Sequence, residues 1–101
     1  MTMLHIVNKS HTQTSALASC LRFALPGSAL LLTEDAVYAA TAAAAATSGI
    51  AAAVAQVKVF ALQPDVEARG MAGKLADGIT TVDYGGFVDL VAEHSTNQSW
   101  L

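Results

Sequence analysis

Residues 14–27, TSALASCLRFALPG, separate two short apolar runs and decide how the chain folds around them. They predict a helix over residues 14–24, because a hydroxyl residue stands at its start and Pro-Gly follows its end. At 100° per residue the apolar side chains fall on one arc, which includes both Cys20 and Phe23. The apolar runs on either side predict buried strands, so this helix is expected to connect two neighbouring strands of a sheet.

Strands and helices are expected to alternate along the rest of the chain. The pattern predicts strands at 3–8, 28–33, 57–62 and 79–82, and helices at 36–46, 66–69 and 84–94. Residues 50–56 fit either a helix or the lead into the third strand, and 71–77 fit a helical turn or a loop. Alternation with short connections predicts one α/β domain over residues 1–101, a parallel sheet of four to five strands with helices on both faces.

The composition restricts the classes of partner. Charged residues make up only 13% of the chain, against about 25% in an average soluble domain. So few charges cover little surface, and we expect other subunits to cover part of it. The net charge is −3 and the five Lys and Arg are scattered, so the chain is not expected to bind nucleic acid directly.

Several kinds of site and location are disfavoured. One cysteine excludes an internal disulfide and a Cys-only metal site in a single chain, and His5, His11 and His94 lack the close spacing of metal ligands. No glycine pattern matches a nucleotide loop, so neither metal nor cofactor is expected. The start lacks the features of a signal peptide and no apolar run is long enough to span a membrane, which predicts a cytoplasmic protein without membrane contact.

Two further features carry alternatives. Glu34-Asp35 follows the second strand, where it could bind Mg²⁺ or act as a base, or where Asp35 could cap the next helix. Capping is favoured, because a metal or catalytic site would need a further acid or lysine at the end of another strand, and the sequence places none there. Trp100-Leu101 is typical of an anchor, either on the chain's own body or on a partner.

Cys20 is the candidate for chemistry. It lies on the apolar arc of its helix, which favours a packing role. The helix dipole lowers a thiol pKa mainly within the first turn, and Cys20 lies beyond that turn. A reactive thiol remains the alternative.

Four stretches together resemble the DsrH/TusB family, the smallest subunit type of the DsrEFH and TusBCD sulfur-relay complexes. They are MLHIVNKS, ALASCLRFALPGSALLLTEDAVYAA, VKVFALQPDVEARGM and VDYGGFVDLVAEHSTNQSWL. The resemblance runs nearly end to end, with residues 41–56 the least diagnostic part. Its most specific parts are DVEARGM at 65–71 and the Asp83-Tyr84 pair that opens the last helix.

The resemblance implies a role in an assembly. The family forms a hetero-hexamer with DsrE-like and DsrF-like (TusD/TusC-like) subunits, which passes persulfide sulfur to a DsrC/TusE-like acceptor protein without metal or organic cofactor. The principal sulfur-accepting cysteine is usually assigned to the DsrE or TusD subunit. The resemblance therefore implies an accessory subunit, with Cys20 as a candidate sulfur-carrying thiol.

Cys20 also separates the branches of the family. DsrH-type members carry a cysteine in the first helix and TusB-type members can lack one, so Cys20 favours a DsrEFH-type complex in bacterial sulfur oxidation. The alternatives are a TusB-type subunit in tRNA wobble 2-thiouridine synthesis and a purely structural subunit. A stand-alone small-ligand binder is disfavoured by the missing phosphate loop.

Overall fold

A computed structural model describes residues 3–94 and 96–100; Leu101, half of the predicted terminal anchor, lies outside them. Its centre is a five-stranded, entirely parallel sheet in the order β4-β3-β2-β1-β5. The strands are β1 (Met3–Val7), β2 (Ala29–Leu32), β3 (Lys58–Leu62), β4 (Ile79–Val82) and β5 (Thr96–Trp100). The predicted parallel sheet is confirmed, with β5 as an addition.

Helices cover the two faces of this sheet unequally. They are α1 (Ala16–Phe23), a 3₁₀ helix (Glu34–Ala40), α2 (Ala45–Ser48), α3 (Ile50–Ala53), α4 (Gln63–Ala68) and α5 (Tyr84–Glu93). All except α5 contribute to the core on one side, which we call the α1 face; α5 packs on the other, the α5 face. The prediction of helices on both faces is confirmed. None of the helices in the described residues is long and apolar enough to cross a membrane.

The order of the strands explains why α5 stands alone. The chain steps from β1 to β4 one strand at a time over the α1 face, and α5 then returns across the whole sheet to place β5 beside β1. Parallel crossovers are almost always right-handed. A connection that reverses direction across the sheet must therefore also change face, which is what α5 does.

The predicted helix over residues 36–46 is wrong in kind and length. A 3₁₀ helix ends at Ala40, and the chain then makes an isolated antiparallel bridge between Thr41 and Leu75. Here the backbone bonds to a distant segment: the N–H of Ala42 donates to Lys74 O at 2.8 Å, and Ala76 N–H donates to Ala40 O at 2.8 Å. These long-range bonds compete with the i→i−4 bonds of a continuous helix, so alanine's helix propensity is overridden.

Other boundaries differ less. The first helix begins at Ala16, whose N–H donates to the Thr14 hydroxyl at 3.2 Å, and Phe23 is exposed although the apolar arc includes it. The last helix opens at the Asp83-Tyr84 pair as predicted, and Asp83 caps it, since its carboxylate accepts a hydrogen bond from Gly86 N–H at 2.7 Å. The segment after His94 is a strand that the sequence pattern missed.

Candidate functional site

Cys20 lies in the middle of the core on the α1 face. Its side chain is fully buried, in the same apolar cluster as Leu17 and Leu30. Burial disfavours the thiolate and raises the pKa of Cys20 from 9.0 to about 12. In this conformation the thiol is protonated at neutral pH and out of reach of another protein, so sulfur transfer through Cys20 would require α1 to move.

The helix that carries Cys20 is held closely by the segment opposite. Gly49, between α2 and α3, has φ +91°, and a methyl group at that position would lie 3.0 Å from Cδ1 of Leu21. Glycine therefore serves two purposes here, a left-handed turn and the close approach of α1. A side chain at position 49 would therefore push against Leu21 of α1.

A polar cluster joins the carboxyl ends of β2 and β3. Glu34 has φ +49°, uncommon for a residue other than glycine, and its N–H donates to Asp65 Oδ2 at 2.7 Å. Arg69 Nε donates to Asp35 Oδ1 at 2.9 Å, and Arg69 Nη1 lies 3.8 Å from Asp65 Oδ1. The hydrogen bond that Arg69 donates to Asp35, together with the nearby carboxylate charges, raises the pKa of Arg69.

This cluster corrects two sequence predictions. Asp35 does not cap a helix; it pairs with Arg69, and the residue at the cap position, Thr33, makes no side-chain cap bond. A third acid does reach the Glu34-Asp35 pair, because Asp65 follows β3, the neighbouring strand. The spacing of Asp65 and Arg69, four apart on a helix, was the one sequence signal that could have revealed the cluster.

The arrangement is that of a clamp. Arg69 pairs with both carboxylates, so its single positive charge offsets part of the negative charge of Asp35 and Asp65. Within the described residues, no group of three or more His, Cys, Asp or Glu is placed to hold a metal ion. The cluster therefore fixes the geometry of two strand ends.

Trp100 anchors on the chain's own body. Its Nε1 donates to Nδ1 of His5 at 3.1 Å, and its ring stacks on Phe23 with centroids 6.1 Å apart and planes 17° from parallel. Of the two anchors predicted for the tryptophan, the structure therefore shows the one on the chain's own body. His5 is buried, which lowers its pKa, and its Nδ1 accepts a hydrogen bond from the indole N–H of Trp100, so the neutral ring carries its own proton on Nε2.

The other two histidines lie apart from Cys20. His94 follows α5, and its Nδ1 lies 2.7 Å from Leu90 O. His11 lies in the loop after β1 and lines an open groove of about 420 Å³ together with Asp35 and Tyr38. The three histidines are thus dispersed, as their sequence spacing predicted.

Two exposed apolar surfaces remain. One is the outward side of α5, where Tyr84, Val88 and Val91 follow one another at helical spacing. The other lies at the β5 edge of the sheet, where Phe23 is 68% exposed and stacks on Trp100. Contiguous apolar surface on a chain so poor in charge is typical of contact with other proteins. Fold and surfaces together define a class, a small parallel α/β subunit with faces for other chains.

Comparison with known proteins identifies the family. Residues 9–97 match the family model described as DsrH like protein. Protein TusB of Serratia proteamaculans (strain 568) is 37% identical over 98 residues, covering 97% of this chain and 100% of that protein. Protein TusB of Escherichia coli O81 (strain ED1a) is 36% identical with the same coverage. The chain belongs to the DsrH/TusB family.

Solved structures share the fold. The crystal structure of the E. coli ychN protein superposes with a TM-score of 0.75 at 14% identity, covering 98% of both chains. A protein of unknown function from Methanobacterium thermoautotrophicum gives a TM-score of 0.74 at 16% identity, covering 97% of this chain and 96% of that one. At such identities the likeness concerns the fold alone. Membership in the DsrH/TusB family supports the broader expectation of a subunit in a multi-subunit sulfur-relay complex.

Proposed function

We propose that this chain is a TusB-type subunit of a sulfur-relay complex that serves tRNA wobble 2-thiouridine synthesis. The observation that carries the proposal is the full-length match, at 36–37% identity, to proteins named TusB. These relatives favour the tRNA-thiolation alternative over the sulfur-oxidation assignment suggested by Cys20. The partners in this proposal are TusC-like and TusD-like subunits and a TusE-like acceptor in the cytoplasm.

Within the complex we assign the chain a shaping role. Sulfur relay needs a thiolate that attacks the outer sulfur of a persulfide and then yields the sulfur to another thiolate. The burial of Cys20 and its pKa of about 12 oppose both steps in the conformation described. The apolar sides of α5 and of the β5 edge suit contacts that position a sulfur-carrying partner.

A second candidate function follows from the position of Cys20 in the first helix. In this alternative the chain is a DsrH-type subunit in sulfur oxidation, and Cys20 receives sulfur from a donor and passes it to a DsrC-like acceptor. The thiol would become reachable only if a partner displaced α1 from the α1 face. The two candidates differ in whether Cys20 is required for transfer.

Deletion and complementation in the native host test the proposal. Deleting the gene should abolish wobble 2-thiouridine in tRNA, and both the wild-type gene and Cys20→Ala should restore it, because the proposed role needs no thiol. Unchanged 2-thiouridine after deletion would rule out the tRNA pathway. Restoration by the wild-type gene alone, with Cys20→Ala still assembled, would establish a sulfur-carrying role.

Assembly is tested separately with purified proteins. Co-expression with TusC-like and TusD-like chains should give one defined complex by light scattering. A chain that stays monomeric beside them contradicts the proposal. Intact mass after treatment with a persulfide donor should show the added sulfur, about 32 Da, on a partner and not on this chain.

A further inference from the structure

The β5 edge of the sheet is open and unprotected. In the described residues β5 pairs only with β1, through five consecutive parallel positions from Met3↔Thr96 to Val7↔Trp100 without a bulge. Natural edge strands are usually blunted by charge, proline or a bulge, because free backbone N–H and C=O groups recruit other strands. The sequence TNQSW contains no charged residue and no proline, so nothing in β5 opposes the addition of a strand.

The opposite edge of the sheet differs. There, β4 is only four residues long and lies between Asp77 and Asp83, so that a carboxylate flanks each end. Charge next to a short edge strand discourages pairing with another chain. The contrast singles out β5 as the edge prepared for a partner.

An apolar groove runs beside β5 on the α1 face. Its volume is about 320 Å³, and it is lined by Met3, His5, Phe23, Gln98 and Trp100. Phe23 leaves 68% of its surface in solvent, while His5 is only 3% exposed. No described residue accepts the Nε2 proton that the Trp100 bond leaves on His5. The groove therefore offers aromatic walls and one hydrogen-bond donor, Nε2–H of His5, which suit an apolar side chain and a backbone carbonyl.

We propose that another subunit of the relay complex inserts an extended, uncharged segment along β5. The segment adds a strand to the sheet and places an apolar side chain in the groove against Phe23 and Trp100. This inference rests on the proposed function, since it requires a complex, and it assigns one of the surfaces by which the complex is held together. Main-chain hydrogen bonds would supply affinity and the groove would supply specificity.

A second copy of this chain fits the surface less well. Antiparallel pairing of two β5 strands about Gln98 would set Thr96 opposite Trp100 on the groove side. The incoming strand would then offer Thr96 and Gln98 to the groove, and its own Trp100 would already be stacked on its own Phe23. Such a strand offers the groove two polar side chains, so a different chain that carries an apolar residue suits Phe23 better.

Hydrogen exchange and two substitutions test the inference in the complex with TusC-like and TusD-like subunits. Amides of β5 should exchange at least about tenfold more slowly in the complex than in the isolated chain. Gln98→Lys and Phe23→Ser should each weaken assembly by roughly tenfold or more, whereas Ala18→Lys, on the exposed side of α1, should not. Gln98 is exposed, so its variant should keep the wild-type thermal unfolding transition.

The outcomes are distinguishable. A complex that forms without slowing exchange in β5, or that tolerates both substitutions, overturns the inference and leaves the proposed function intact. An isolated chain that dimerises with its β5 amides protected also overturns it, in favour of a second copy. Absence of any complex with the wild-type chain contradicts the proposed function and this inference together.

Discussion

The two faces of the sheet differ in how completely they are covered. On the α1 face, four α-helices and a 3₁₀ helix enclose a core in which Cys20, Leu30 and Ile50 are inaccessible to solvent. On the α5 face a single helix crosses the strands, and the buried cluster comprises only Leu4, Ala29, Leu31 and Leu90. The α1 face of the sheet is thus covered by several helices, whereas the α5 face is covered by one.

The difference indicates where each task of the molecule is carried out. A closely packed face gives stability, and in this conformation it also disfavours the thiolate form of Cys20, because burial raises the pKa of the thiol. A single helix leaves apolar side chains such as Val88 in solvent, where another chain can contact them. The closely packed side and the thinly covered side thus lie on opposite faces of one sheet.

The largest expected effect on stability comes from truncating one buried leucine on each face of the sheet. Leu30→Ala, on the α1 face, should lower the free energy of unfolding by about 2–5 kcal/mol, because a cavity remains among many fixed neighbours. Leu90→Ala should lower the free energy of unfolding by an amount nearer the lower end of that range, since α5 alone covers this face and can move closer to the sheet to fill the cavity. Denaturant unfolding of both variants measures the difference. Equal losses would mean that the faces are packed alike.

Two glycines in the first turn of α5 test how closely this helix packs on the α5 face. A methyl group at Gly86 would lie 2.9 Å from Cβ of Val82, so Gly86→Ala should force α5 from the sheet and cost about 1–3 kcal/mol. At Gly85 the nearest atom is Asp83 Oδ1 at 3.4 Å, so Gly85→Ala should be neutral or stabilise the helix. Thermal unfolding of the two variants measures the difference. A Gly86→Ala variant as stable as the wild type would show that α5 does not pack closely against Val82.

Alkaline pH probes the closed face through Cys20. The unfolded thiol ionises near the ordinary value of 9.0 but the folded thiol only near a pKa of about 12. Stability from this group is therefore complete below pH 9 and falls between pH 9 and 12, by at most about 1.4 kcal/mol per pH unit. Cys20→Ala should lose stability less steeply over that range in denaturant titrations. If the stability of the wild type and of Cys20→Ala falls equally with pH, the Cys20 thiol is not shielded from solvent in the folded chain.

The smallest effect should come from the exposed side of α5. Val88 is 66% exposed, so Val88→Thr should change the stability of the isolated chain by less than about 0.5 kcal/mol. Chemical denaturation of the isolated chain measures this, with Leu90→Ala on the same helix as the contrast. A loss comparable to that of Leu90→Ala would mean that the outward side of α5 is already covered within the monomer.

The sequence predicted those parts of the molecule that local pattern determines. The runs that form β1 to β4 are apolar or β-branched, and Asp83 stands three residues before the N–H that it caps. These features need only near neighbours in the chain. The buried position of Cys20 also followed from its place on the arc of α1.

The parts that could not be predicted depend on distant residues. Nothing in TNQSW alternates between apolar and polar, and the strand exists because β1 supplies a backbone edge and His5 receives the tryptophan N–H 95 positions away. The 3₁₀ helix likewise ends where residues 74–76 bond to its backbone. The clamp of Asp35, Asp65 and Arg69 joins two strand ends whose adjacency follows only from the sheet order.

The position of β1 between β2 and β5 has a consequence for the order of events during synthesis. Of the five described strands, β1 leaves the ribosome first, yet one of its two neighbours is the last to emerge. Until then β1 is itself an edge, and His5 lacks its indole partner. Pairing over such a separation is slow and leaves intermediates prone to association. Until β5 emerges, the nascent chain therefore exposes an edge at β1 to which another strand can pair.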